Sequence, residues 1–118
     1  MGIAWELMEL GYDPLEDIKA QTKTESIVTE HGNICVFCGK PAECEHHLLF
    51  GNGIRELAEQ DGLKVPICNE CHNMGAVTGR IHDNSMAEKL SKMLGQAVYE
   101  AKIGDRAEFR RRYGKSYL

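Results

Sequence analysis

A small α+β fold follows from three features of this 118-residue sequence. Two Cys-x-x-Cys steps, Cys35/Cys38 and Cys68/Cys71, bracket a run that carries the adjacent histidines His46 and His47. Two strand-like stretches, Ala42 to Leu48 and Leu63 to Ile67, lie beside those steps. Helix-type spacing and helix stop signals occupy the remainder. Paired thiolate steps of this kind hold tetrahedral Zn²⁺. The predicted architecture is therefore a small zinc-stabilised core with flanking N- and C-terminal helices. The length fits one domain, divided into an N-terminal helical region 1–33, a zinc-bound core 34–84 and C-terminal helices 85–118.

Each element has its own signal. Ile3, Leu7 and Leu10 give a helical stripe over 3–10, stopped by Gly11. Asp13-Pro14 reads as N-cap and first helical position of a second helix reaching about Gln21. Thr24 is placed to cap a short third helix across Ser26-Ile27-Val28, stopping at Gly32. His31, at that end, reads as a surface histidine. In Cys35-Val-Phe-Cys38-Gly39-Lys40 the glycine allows a tight turn that brings N–H groups to sulfur. Phe50-Gly51-Asn52-Gly53 is a turn, and Ile54 to Gln60 makes one or two helical turns before Asp61-Gly62. Pro66 puts the second strand at a sheet edge or end. Cys68 to His72 enters a helical turn, and 75–79 is loop-like. Asn84 or Ser85 starts the longest helix, and Ser85 with Glu88 fits a capping box for it. Its Met86, Leu90, Met93, Leu94, Ala97, Val98 and Ala101 recur at helical spacing and read as a core face. Gly104 stops it, and Asp105 caps a last helix with Phe109 and Tyr113, ending near Gly114.

Composition narrows the function classes. Apolar residues at 42% and charged residues at 27% describe an ordinary soluble globule. No apolar run approaches the ~18 residues of a membrane span, and no basic stretch with an apolar h-region opens the sequence. A cytoplasmic protein with no membrane partner is expected. Five cysteines, an odd number, argue for thiolate ligands rather than a disulfide framework. Cys44 is then left over, as a free buried thiol on the first strand. The net charge of −4 is distributed unevenly. Residues 1–34 hold seven acids against two lysines, whereas the tail from Asp105 carries Arg106, Arg110, Arg111, Arg112 and Lys115 against two acids. A basic face for nucleic acid is compatible with that asymmetry, though a charge run is also simply a solvated helix surface.

The chemistry begins with zinc. Cys35, Cys38, Cys68 and Cys71 supply four thiolates, enough to fill one tetrahedral site. Four of the five histidines, His46, His47, His72 and His82, lie close to those cysteines. Successive strand residues point to opposite faces, so His46 and His47 can divide their work. One can bind a divalent metal, completed by His72 and His82, while the other takes a proton from water near neutral pH. The competing assignment makes His46, His47 or His72 a ligand of a mixed Cys/His zinc site.

Cys35-x-x-Cys38, Glu45-His46-His47-Leu48, Val65-Pro66-Ile67-Cys68-x-x-Cys71-His72 and the downstream His82 together resemble the HNH endonucleases, over about residues 24–84. The variant is similar to small phage- and prophage-encoded members. The resemblance implies a ββα-metal (His-Me finger) core within 34–84. It implies that His47 is the general base and that His46 and His72 are metal ligands, with His82 a further one. The family's middle Asn has no counterpart in Asp61-Gly62-Leu63-Lys64, which leaves Asp61 and Asn69 as candidates to orient the base. Arg55 or Arg80 could contact a phosphate, a surface salt bridge being the simpler reading of each.

The expected activity is metal-dependent hydrolysis of DNA phosphodiester bonds. The cofactors are a structural Zn²⁺ and a catalytic Mg²⁺, Mn²⁺, Ni²⁺ or Zn²⁺. An all-imidazole site favours a softer ion than Mg²⁺. Arg110, Arg111, Arg112 and Lys115 are the expected DNA contacts, and a phage recombination or packaging protein is a possible partner. The alternative is a non-catalytic zinc module that binds DNA or a phage or host protein. An RNA-directed nuclease ranks lower, because few aromatics interleave with the basic residues.

Overall fold

A computed structural model describes residues 24–118. The helices expected over 3–10 and from Pro14 to about Gln21 lie outside these residues. The order is β1 (Cys44–His47), α1 (Ile54–Asp61), β2 (Lys64–Ile67), a wide π-helical turn (Glu70–Met74), α2 (Ser85–Lys102) and α3 (Arg106–Tyr113). The two strands form one antiparallel sheet. Cys44 stands opposite Ile67, His46 opposite Val65 and His47 opposite Lys64. The described chain is thus a small α+β structure in which the histidine pair sits on a strand. Among the described residues no helix is long and apolar enough to cross a membrane.

Left-handed glycines set the chain reversals around that strand. Gly53 (φ 77°) precedes α1 and Gly62 (φ 72°) closes it, donating its N–H to the last turn, a conformation that costs glycine little. Gly62 is also crowded: a Cβ there would stand 2.5 Å from the Glu25 carbonyl oxygen. The crowding comes from residues 24–32, where the expected short helix does not form. Ser26 Oγ accepts from the Val28 and Thr29 N–H groups and donates to the Lys64 carbonyl at 2.6 Å. The Ile27 N–H donates to the Gly62 carbonyl. A serine that satisfies nearby backbone donors itself removes the reason to coil, and the segment is laid across the α1–β2 turn instead.

Helix α2 is rotated from its expected orientation. Met86, Leu90 and Leu94 are exposed, as are Ala97 and Ala101. The buried positions are Ser91, Gly95, Gln96 and Tyr99. The cause is close packing. A Cβ on Gly95 would meet Leu49 Cγ at 2.9 Å and Leu48 Cβ at 3.1 Å, so the glycine lets the helix lie directly on the end of β1. Gln96 accepts the Tyr117 N–H at 2.6 Å and donates to Ser116, tying the C-terminal tail to the same face. Of the two expected starts for this helix, the chain uses Asn84 and not the Ser85 box. Asn84 is the N-cap, accepting from the Ala87 N–H. In α3 the expected Asp105 cap is present as a full capping box with Glu108, and Gly114 ends the helix.

Two apolar clusters result. One joins Leu49, Ala58, Leu63, Tyr99, Phe109 and Tyr113, with the Phe109 and Tyr113 rings stacked at 4.7 Å. The other is small and surrounds the thiol steps: Cys35, Ile67, Cys68 and Ile81. The histidines lie on β1 and on the segment that follows β2, near both.

Candidate metal centres

The first Cys-x-x-Cys step folds as a knuckle. The Cys35 N–H donates to the Lys40 carbonyl, the Gly39 N–H donates back to Cys35, and Gly39 turns the chain at φ 77°. The second step runs from the end of β2 into the π-helical turn. The ligand atoms of Cys35, Cys38, Cys68 and Cys71 all lie within 4.8 Å of one another, and Cys38 Sγ is 3.6 Å from Cys68 Sγ. Tetrahedral zinc with ~2.3 Å bonds spaces its sulfurs ~3.8 Å apart. The charges also ask for a cation. Burial works against a Cys35 thiolate, but backbone N–H groups of Cys68, Cys38 and Phe37 overcome it and bring the thiol down to about 6. Burial and the neighbouring thiols push Cys71 far up. Four crowded sulfurs cannot all ionise without a positive ion among them. The four cysteines therefore fit Zn²⁺, and no histidine joins their cluster among the described residues.

The second cluster is His46, His72 and His82, whose ligand nitrogens likewise lie within 4.8 Å of one another. His72 Nε2 and His82 Nε2 approach to 3.0 Å, so a proton or a cation must lie between them. His46 is 1% exposed, and its Nδ1 is buried with no hydrogen-bond partner. The other nitrogen explains why. Ser91 Oγ donates its proton to the Leu48 carbonyl at 2.8 Å, which leaves a lone pair to accept His46 Nε2–H, also at 2.8 Å. That arrangement puts the His46 proton on Nε2 and a bare lone pair on Nδ1. Burial, then the charges His82, His72 and His47 would carry, lower His46 to about 3. Burial and His82 lower His72 as well. Both are neutral near pH 7, the form that binds metals.

Outer partners brace the other two rings. His82 Nδ1 lies 3.5 Å from Glu88 Oε2, and the His82 N–H donates to the His72 carbonyl. Cys44 Sγ stands 3.6 Å from His72 Nδ1. The fifth cysteine is thus half-buried between the two clusters, its thiol pushed up by burial and then by Glu43. A second group that orients a ligand imidazole typically matters 10–100-fold for metal affinity. Ser91→Ala is therefore expected to weaken metal binding at the histidine cluster by roughly 10–100-fold and to leave the thiolate zinc in place. Competitive titration with a chromogenic chelator checks both.

His47 faces elsewhere, as strand alternation requires. Its Nε2 is 2.7 Å from Glu59 Oε1, and Arg55 Nε points at its Nδ1 from 3.4 Å. His46, His47, His72 and His82 nevertheless share one pocket of about 160 Å³ with Glu45, Phe50 and Arg55. Asp61 and Asn69, the expected candidates to orient His47, do not reach it. Asp61 accepts from Arg112 and from the Tyr113 hydroxyl, and Asn69 is held by Glu43. Arg80 is used structurally: it clamps the Gly75 and His82 carbonyls and pairs with Asp83. Arg55 forms no salt bridge among the described residues, contrary to the simpler expectation for it.

The basic tail divides in two. Arg112 binds Asp61 at 2.7 Å and Gln60, so it braces α3 against α1. Arg110, Arg111 and Lys115 are exposed. Lys115 lies over the Tyr117 ring, which Lys92 also approaches, and Lys92 stands 4.7 Å from the Phe50 ring at the histidine pocket. Lys92, Ser91 and Glu59 carried no sequence signal of their own. Comparison with protein-family models, with curated proteins and with solved structures finds no match to this chain.

Proposed function

We propose that this protein is a metal-dependent endonuclease of the HNH type that hydrolyses phosphodiester bonds in DNA. The observation that carries the reading is the pocket itself. Three imidazoles bring ligand nitrogens within 4.8 Å of one another, one of the three, His46, has a buried Nδ1 without a hydrogen-bond partner, and a fourth imidazole, His47, opens onto the same space. The antiparallel β1–β2 pair, followed by the turn that carries His72, supports a ββα-metal core. A divalent ion held by His46, His72 and His82 would neutralise charge on the scissile phosphate and on the departing 3′ oxygen.

The chain's own residues supply the rest. His47 Nδ1 takes a proton from a water molecule, whose oxygen forms the new bond to phosphorus as the P–O3′ bond breaks. Arg55, with no carboxylate partner among the described residues, turns from His47 to a phosphate oxygen, a natural guanidinium ligand. The cations Lys92, Lys115, Arg110 and Arg111 hold the backbone beyond. The thiolate zinc keeps Cys71, and hence His72, in place.

The test is nicking of supercoiled plasmid by zinc-loaded protein with added Mg²⁺, Mn²⁺, Ni²⁺ or Zn²⁺, beside metal counting. Nicking with at least one ion is expected. His72→Ala is expected to lose at least about 100-fold of it, as loss of an oriented metal ligand implies. No cleavage with any ion, with a single tightly held zinc and no second site, would leave the non-catalytic zinc module as the better reading.

A further inference from the structure

We infer that Glu59 is the positioning residue of His47: it holds the Nε2 proton and so presents a bare Nδ1 to the pocket. This deepens the nuclease reading and rests on it for the catalytic consequence. The geometry is complete on both carboxylate oxygens. Glu59 Oε1 lies 2.7 Å from His47 Nε2. Glu59 Oε2 accepts from Lys64 Nζ at 2.8 Å and from the Thr24 N–H at 3.0 Å. The Lys64 side chain is 1% exposed and reaches Glu45 as well, at 3.2 Å. The carboxylate is therefore pinned from behind by a buried cation and a backbone donor, with one oxygen left for the imidazole.

The proton count follows. An ionised carboxylate only accepts, so His47 donates from Nε2 and the neutral ring has its lone pair on Nδ1. Burial opposes ionisation of Glu59, but hydrogen bonds from Lys64, His47 and Thr24 outweigh it and bring the group down to about 2. Arg55, a donor with nothing to accept, points its Nε at Nδ1, as a bare nitrogen there requires. Glu59 thus takes the office for which the HNH resemblance offers no Asn. It does so from α1, twelve residues beyond His47, rather than from the stretch before Cys68.

A structural role for Glu59, as counter-ion to Lys64 alone, makes a different prediction for Glu59→Gln. In that variant the two donors Lys64 Nζ and Thr24 N–H claim the amide oxygen. The amide NH₂ then faces His47 Nε2 and donates to it, which moves the imidazole proton to Nδ1. A base in the wrong tautomer has no lone pair for water, a fault that costs about 10⁴-fold in a comparable His–carboxylate pair. Glu59→Gln is expected to lower kcat for plasmid nicking by about 10³-fold or more, with KM and the metal count unchanged. In ¹⁵N-detected NMR of the zinc-loaded protein without DNA, His47 is expected to carry its proton on Nε2 in the wild type and on Nδ1 in the variant. A wild-type spectrum with the proton on Nδ1 overturns the proposal, and that measurement stands even if the variant fails to fold. A folded variant with unchanged kcat and tautomer overturns it equally. Wild-type protein that shows the Nε2 tautomer but cleaves no DNA instead sinks the nuclease reading and leaves the Glu59–His47 pairing intact.

Discussion

His47→Ala is expected to lower the rate of metal-dependent plasmid nicking by roughly 10²–10⁴-fold, the usual worth of a positioned general base, while both metal sites stay filled. The selectivity of the loss is the point. His46 and His47 are neighbours in sequence, yet His46 turns to Ser91 on α2 and His47 to Glu59 on α1. Alanine at His47 removes no converging nitrogen from the His46–His72–His82 cluster. The same change at His46 removes the buried Nδ1 and is expected to empty the cluster. Single-turnover nicking beside metal counting separates the two. A His47→Ala protein that cuts as fast as the wild type would mean that another group activates the water.

Cys71→Ser is expected to do more: it should release both metals and unfold the thiol knuckle at 34–41 together with the 68–84 segment. A serine hydroxyl does not ionise near neutral pH, so zinc would lose one of four anionic ligands. Zinc binding is worth roughly 10–16 kcal/mol in small zinc-finger peptides, which exceeds the total stability of most small domains. The knuckle has little else to hold it. Its apolar cluster is Cys35, Ile67, Cys68 and Ile81, half of it made of ligands. The Cys71 carbonyl accepts the Ile81 N–H, and the His72 carbonyl accepts the His82 N–H. Losing the turn at Cys71 therefore lets go of His72 and His82 together. The larger cluster of Leu49, Tyr99, Phe109 and Tyr113 does not include these residues, so α2 and α3 are expected to keep part of the helical signal. Circular dichroism with hydrogen exchange resolves the two regions, and a variant that retains both metals would show that the thiolates are not the scaffold.

The thiol knuckle was the most legible part of this chain, because Cys-x-x-Cys is a local signal: two sulfurs from one turn need only a partner turn to meet them. Helix ends were nearly as legible where a cap is made by residues three apart, as at Asp105 and Glu108. Local signals also misled. Ser26 looked helical by neighbourhood, but its hydroxyl accepts from the Val28 N–H and donates to the Lys64 carbonyl. The leucines and methionines of α2 marked an apolar face, yet the helix buries Ser91, Gly95 and Gln96. Periodicity records which side chains are oily, not which face finds a strand end shaped to receive it.

Residue types and their spacing on their own determined that this chain carries four thiolates able to meet at one ion, and that imidazoles crowd beside them. Which imidazole nitrogen is bare was decided by tertiary packing. Ser91 lies forty-five residues from His46 and Glu59 twelve from His47, and neither spacing belongs to a strand or a helix. A tautomer is set by the groups that touch the ring, and those contacts exist only once α1 and α2 have closed on either side of β1.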